Sequence, residues 1–323
     1  MTHHQPGSDL DADKVKVVKA PLMEGMTLED INAKLDESFE YVFDNCSKGP
    51  DTGSGKAICD AAKEWGTKIF TYVSSAGMYQ PDDSTVFPMP ETTPVKESAG
   101  QNQFDNYASE IGLPLVSFRP QYIYGPNANK YDYIDWFFDR LVRGLPLPIP
   151  GDGTQKVSLT NSEDVASLLA SVLDAPEAAI EQRIFNCGTD ELIPYDEVAY
   201  MCAEVAGINK DEVMIEHFDP KMYHKTPFPF RPTNFYVSPD TAKEKLGWTG
   251  PKNSLASDLK WYYEGYVSRG GPTKSMKGKL GPDREVCFLS KTTAGGLGSI
   301  YDEFDPLEID ASNVQDLTIG PGV

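Results

Sequence analysis

The spacing of apolar and polar positions divides the chain into short strands and amphipathic helices. Leu115 to Phe118 is a short apolar run that ends at an Arg-Pro corner and a Tyr-Gly-Pro turn. The stretch Leu115 to Pro126, LVSFRPQYIYGP, therefore reads as a buried strand leading into a structured turn. Lys14 to Lys19 (KVKVVK), Phe39 to Asp44 (FEYVFD) and Lys68 to Ser74 (KIFTYVS) are further strands. Leu28 to Leu35 has helical spacing behind a Thr27 N-cap, and Lys56 to Trp65 is a helix stopped by Gly66. This β-α-β-α-β order predicts a parallel sheet with crossover helices, in which KVKVVK pairs beside FEYVFD. Beyond it, helices are expected over Gln103–Ile111, Tyr133–Arg143, Ser162–Leu173 (capped by Asn161 or Ser162), Tyr195–Ala206, Pro239–Leu246 and Leu255–Val267. Strands are expected over Arg183–Cys187 and Met214–Phe218. Asn45 to Ser54, Gln80 to Glu97 and Gly144 to Gly153 read as loops rich in Gly or Pro.

Composition narrows the function classes. A net charge of −20 argues against a broad electrostatic nucleic-acid surface, although a local basic patch is compatible with it. No run of 18 apolar residues occurs, so no membrane span is expected. The five cysteines are scattered and fit reduced thiols. No CxxC or HExxH spacing exists, and no metal site is expected. The first residues lack both an apolar signal core and the basic, acid-poor composition of a transit peptide. Residues 1–13 and 270–323 are too polar or too Gly-rich to order themselves and are expected to be disordered.

In open α/β sheets ligands bind beyond the carboxyl ends of the strands. That places Ser74 and Ser75, from VSSAGMY, and Arg119, Tyr122 and Tyr124 around one crevice. Gly49 to Ala57, GPDTGSGKA, lies where a phosphate loop belongs, but Pro50 replaces its first glycine and Ala57 its metal-binding hydroxyl. Lys221 to Tyr236, KMYHKTPFPFRPTNFY, interleaves bases with aromatics, as single-stranded RNA binding requires. Lys221, Tyr223, Lys225, Phe230 and Arg231 are the RNA candidates there, with Arg140 and Arg143 as an extension. A core-filling loop explains the same aromatics.

SSAGMY, RPQYIYGP, WFFDRLVRGLPLPIPGDGTQ, EDVASLL, IFNCGTD and AKEKLGW together resemble the extended short-chain dehydrogenase/reductase superfamily, of the NAD-dependent epimerase/dehydratase type. More narrowly, FDNCSKG, SFRPQYIYG, DWFFDRLVRG, IFNC, HFDPK and PFPFRPTNFYVSP resemble the chloroplast stem-loop-binding protein family. The resemblance covers roughly Tyr41 to Val267. It implies a Rossmann-like parallel sheet, N-terminally truncated, over 14–150, with a smaller α/β domain over 151–269 interleaved with it. It also implies a plastid protein that binds RNA, with a part in mRNA stability or rRNA maturation and in endonucleolytic cleavage. The implied partners are RNA and plastid ribosome or transcription complexes, in a homo-oligomer or a hetero-oligomer with a paralogue.

The departures from the superfamily matter most. Its Tyr-x3-Lys pair, in which Lys lowers the tyrosine pKa, is missing: none of the 16 tyrosines has Lys four residues on. By the resemblance Ser75 matches the catalytic serine, and the pair's positions fall on Glu97 and Gln101. No GxGxxG or GxxGxxG occurs, so no pyrophosphate cradle is expected and no cofactor. The leading expectation is a non-redox pseudoenzyme that binds RNA, with endoribonuclease action left open. The alternative is an NAD-dependent nucleotide-sugar epimerase or dehydratase with a truncated N-terminus.

Overall fold

The computed structural model describes residues 15–16, 18, 25–35, 37–128, 130–223, 225–289 and 297–306. The chain divides into two compact units. The first comprises residues 1–134, 155–194 and 233–262, and the second 135–154, 195–232 and 263–323. From the domain expected over 151–269 and interleaved with the first, a strand at 184–187 returns to complete the first sheet.

In chain order the elements begin with α1 (Leu28–Asn32), β1 (Tyr41–Asp44), α2 (Gly55–Glu64), β2 (Ile69–Val73), α3 (Gly100–Glu110), β3 (Leu115–Pro120) and β4 (Ile123–Tyr124). Then come α4 (Asp132–Leu141), β5 (Leu147–Pro150), β6 (Lys156–Val157), β7 (Thr160–Asn161), α5 (Ser162–Ala170), α6 (Pro176–Gln182), β8 (Ile184–Cys187) and β9 (Ile193–Pro194). The series closes with α7 (Tyr195–Val205), β10 (Ile215–Phe218), α8 (Asp240–Leu246), α9 (Leu255–Ser268), α10 (Gly281–Leu289) and α11 (Leu297–Phe304).

Unit 1 is built on a parallel sheet of order β1-β2-β3-β8. Its central strands are buried on both faces, which is why β2 and the first half of β3 read as apolar runs. On one face the small residues Cys59 and Ala62 of α2 and Ala108 of α3 let these helices approach Phe70, Tyr72 and Leu115. On the other, Leu168 of α5, Leu246 of α8, and Val172 and Trp248 just after these helices pack against Val116, Phe118 and Phe185. Local signals set the helix ends: Thr27 forms a capping box with Asp30, Asn161 caps α5, and Gly66 and Gly247 take positive φ after α2 and α8. Val15, Lys16 and Val18 of KVKVVK are not in a strand, so the expected pairing with β1 is not made by them; Lys14, Val17 and Lys19 lie outside the described residues.

Unit 2 differs more from the sequence reading. Within the expected Pro/Gly loop, β5 pairs in parallel with β10. Leu147 N donates to Met214 O, so the residues that alternate with it, Pro148 and Pro150, turn their nitrogens away from the partner. The expected disordered tail is ordered over α10 and α11. Asp283, fully buried, accepts from Arg140 Nε at 2.6 Å and Nη2 at 2.8 Å, while the guanidinium stacks on Trp136. Arg143 Nη2 donates to the carbonyls of Gly271, Pro272 and Lys274. Asp305 accepts from Gly278 N and Leu280 N, and Leu145, Met276, Leu280, Cys287 and Tyr301 form a core beneath them. These contacts also correct the reading of Arg140 and Arg143 as nucleic-acid contacts: both are spent inside the unit.

Removing one partner of a buried, bidentate ion pair leaves an uncompensated charge. Arg140→Ala is expected to destabilise the protein by about 3–5 kcal/mol in urea unfolding followed by tryptophan fluorescence. A loss below about 1 kcal/mol would mean that the pair is solvated.

Candidate functional site

The carboxyl end of β3 carries a buried polar network, in which Arg119 Nε, Asp105 Oδ1 and Ser117 Oγ have no hydrogen-bond partner. Ser117 and Arg119 share one face of the strand, and Arg119 lies opposite Asn186 of β8. Arg119 is 4% exposed. Its Nη1 donates to Tyr79 Oη at 3.1 Å and to the Glu91 carbonyl at 3.4 Å, and its Nη2 to Asp105 Oδ2 of α3 at 3.4 Å. Tyr79 in turn donates to Asn186 Oδ1 at 2.7 Å. Asn186 gives its side-chain amide to Met89 O and its main-chain N–H to Glu91 Oε1, and Thr241 donates to the other Glu91 oxygen. Burial raises the Asp105 carboxyl above its ordinary range despite Arg119, and pushes the Tyr79 hydroxyl up to about 12. At neutral pH Tyr79 is a hydrogen-bonding phenol, not a base.

The other expected crevice residues are mostly spent on structure. Ser75 Oγ accepts from Gly77 N and caps the short helical turn Ala76–Met78. Ser74 is buried, with its Oγ unpartnered. Tyr122 takes φ 41° and meets Tyr133 and Phe235 edge-on. Tyr124 is buried rather than crevice-lining. It donates to Asp258 Oδ2 at 2.7 Å, the oxygen that Asn161 Nδ2 also reaches at 2.8 Å. Gly125 next to it is obligatory: φ is 131°, and a Cβ would lie 2.4 Å from Ser162 Oγ. Asp258, Asn161 and Glu91 were not legible as site residues, since each meets its partner only through the fold.

Glu97 and Gln101 straddle the start of α3, with Glu97 exposed and Gln101 half-buried in the first turn. Neither can act as the missing tyrosine or lysine. The Gly49–Ala57 loop is not a phosphate cradle either. A Cβ on Gly55 would fall 2.2 Å from the Gly49 carbonyl, and Lys56 N donates to Pro50 O. Its glycines allow backbone to pack on backbone, and the N–H of Lys56 is used internally. The residues given contain neither a glycine-rich pyrophosphate turn nor a Tyr-x3-Lys pair. Among the described residues no group of three or more His, Cys, Asp or Glu could hold a metal ion.

In unit 2 the basic-aromatic run splits. Lys221 and Lys225 are exposed beside Met222, which is 72% exposed. Tyr223 is half-buried and edge-on to Phe218, and His224 lies outside the described residues. Phe230, an RNA-stacking candidate from sequence, is instead core: it is 5% exposed and packs on Phe137, Tyr195 and Phe228. Arg231 is half-buried, and its carbonyl accepts from Tyr195. The mixed spacing reflects a segment that fills a core with alternate residues.

Comparison with known proteins decides the scaffold. Residues 51–188 match the family model for the NAD dependent epimerase/dehydratase family. The fold is that of the NAD-dependent epimerases and dehydratases. UDP-glucuronic acid 4-epimerase of Bacillus cereus superposes with TM-score 0.57 at 17% identity, covering 76% of this chain and 79% of the enzyme. UDP-glucose 4-epimerase of Thermotoga maritima gives 0.53 at 22% identity, covering 75% and 81%. In sequence, the chain is 32% identical over 241 residues to the chloroplast stem-loop binding protein of 41 kDa b of Arabidopsis thaliana, which is 72% of this chain and 60% of that protein. It is 30% identical over 161 residues to a trifunctional UDP-glucose 4,6-dehydratase/epimerase/reductase of the same plant, spanning 22% of that enzyme. The resemblance to stem-loop-binding proteins is thus borne out.

The raised Asp105 carboxyl has a consequence for stability. The folded chain holds this proton where the unfolded chain, near 3.8, has released it. Its contribution is fully present below that value and is lost as pH rises through the raised folded one. The stability difference between wild type and Asp105→Asn, from urea midpoints at stepped pH, is expected to change across that window. A difference flat in pH would mean that Asp105 titrates normally.

Proposed function

We propose that this chain is a non-redox RNA-binding protein on an epimerase/dehydratase scaffold, acting in plastid RNA stability or processing. One observation carries this reading: none of the 16 tyrosines has Lys four residues on, in a chain whose sequence likeness runs to a stem-loop binding protein. The Arabidopsis relative is chloroplastic by its name, and the plastid is the compartment inferred by likeness. The polar network at the end of β3 supports the reading, since both terminal nitrogens of Arg119 are engaged by Tyr79, Glu91 and Asp105, and Tyr79 is held as a hydrogen-bonded phenol.

The proposed RNA contact lies on the exposed stretch Lys221–Lys225 of unit 2. Two lysines there supply phosphate contacts and Tyr223 a ring edge. A small cationic patch on a chain of net charge −20 gives weak, strongly salt-dependent binding.

The test is filter binding of a stem-loop RNA to wild type and to the Lys221→Ala/Lys225→Ala double variant over a salt series. The double variant is expected to bind about tenfold more weakly near 0.1 M salt, with a shallower salt slope. Equal binding by both would remove this surface. No binding by wild type at low salt would remove the RNA reading itself.

A further inference from the structure

A helix begins with N–H groups that have no partner inside it, and in unit 1 two such beginnings lie side by side. Three glycines bring them together. A Cβ on Gly55, the first residue of α2, would lie 2.2 Å from the Gly49 carbonyl. One on Gly100, the first residue of α3, would lie 2.3 Å from the Lys48 carbonyl and 3.6 Å from Gly49 Cα. The loop after β1 therefore encircles nothing itself, but its backbone at Lys48–Gly49 touches both helix starts.

Neither start is neutralised by its own chain. The first turns of α2 and α3 carry no acidic residue, and neither N-cap side chain makes a capping bond. Lys56 N donates to Pro50 O, and Ile58 N and Gln103 N reach back to Ser54 O and Ala99 O. The N–H groups of Gly55, Ala57, Gly100, Gln101 and Asn102 have no partner among the described residues. A second, separate observation comes from Ser54, the N-cap residue of α2. It is 3% exposed, yet its hydroxyl neither caps the helix nor bonds elsewhere, whereas serine at this position ordinarily caps. An unpaired hydroxyl so deeply buried is costly unless something else binds it. Lys48, Lys56 and Lys96 flank the two starts, exposed and in no ion pair among the described residues. Asp51 and Glu97 are the exposed acids beside them.

We infer that the paired starts of α2 and α3 bind a phosphate group. The N–H groups of Gly100, Gln101 and Asn102 and the Ser54 hydroxyl supply hydrogen bonds, and the lysines supply charge. The donors outnumber the acceptors, and two positive helix ends favour an anion over a cation. The phosphate comes from a small phosphorylated metabolite or from the 5′ end of an RNA. The site lies wholly in unit 1 and does not rest on the Lys221–Lys225 surface of unit 2.

Amide NMR of the full chain titrated with inorganic phosphate tests this. The Gly100 and Asn102 amide signals are expected to shift saturably, with a dissociation constant near 1 mM or tighter that weakens with added salt. Gln101→Glu puts a carboxylate into the first turn of α3, where it suits the helix but repels an anion. It is expected to weaken phosphate binding at least about tenfold while the unfolding midpoint without phosphate is kept. Ser54→Ala is expected to weaken binding by about tenfold, and stands as the test if Gln101→Glu fails to fold. AMP and the 5′-phosphorylated and 5′-hydroxyl forms of one short RNA separate the sources. Tighter binding of the 5′-phosphorylated RNA than of AMP assigns an RNA end, and equal binding of the two assigns a small phosphate. No saturable shift at Gly100 and Asn102, or wild-type affinity in both variants, would overturn the inference.

Discussion

Arg119 is a guanidinium held out of water at the end of a sheet strand, and unit 1 is arranged to neutralise it. A buried charge is tolerated only when it is paired and hydrogen-bonded. Its partners come from separate parts of the chain: Tyr79 after β2, the Glu91 carbonyl in the long loop, Asp105 on α3. Asn186 of β8 binds Tyr79 and Glu91, and Thr241 of α8 binds Glu91. One cation thereby fixes the ends of two strands, two helices and a loop rich in proline. The same contacts engage Arg119 and Tyr79 at the place where an α/β sheet ordinarily binds its ligand.

Much of unit 1 was legible because its signals are local. LVSF reads as a core strand, and it is β3. Thr27, Asn161, Gly66 and Gly247 mark helix ends through capping or positive φ, and they do so in the fold. The rest was hidden because it rests on contacts distant in sequence. The order of α10 depends on Arg140 meeting Asp283, 143 residues away, and no composition window contains both. Strand β5 was masked by prolines that are harmless only because both face away from β10. Phe230 looked like a stacking residue because the exposed Lys221 and Lys225 precede it closely in sequence; only the packing of Tyr195 and Phe228 around it shows that it is core.

The candidate site was partly legible for the same reason. The absence of Tyr-x3-Lys and of a glycine turn is a fact of the sequence given, and Glu97 and Gln101, where the resemblance put the pair, flank the start of α3. The sequence could not show that Tyr124 is committed to Asp258, or that the glycines after β1 serve backbone packing. Both findings point the same way. An epimerase/dehydratase fold is kept, and no Tyr-x3-Lys pair occurs in the sequence given.

The most direct measurement is titration of the full chain with NADH, followed by nicotinamide fluorescence. The account predicts no saturable change up to about 1 mM, which bounds any binding at about −4 kcal/mol. A saturable signal with Kd in the low micromolar range, about −8 kcal/mol, would contradict it and restore a cofactor-dependent enzyme.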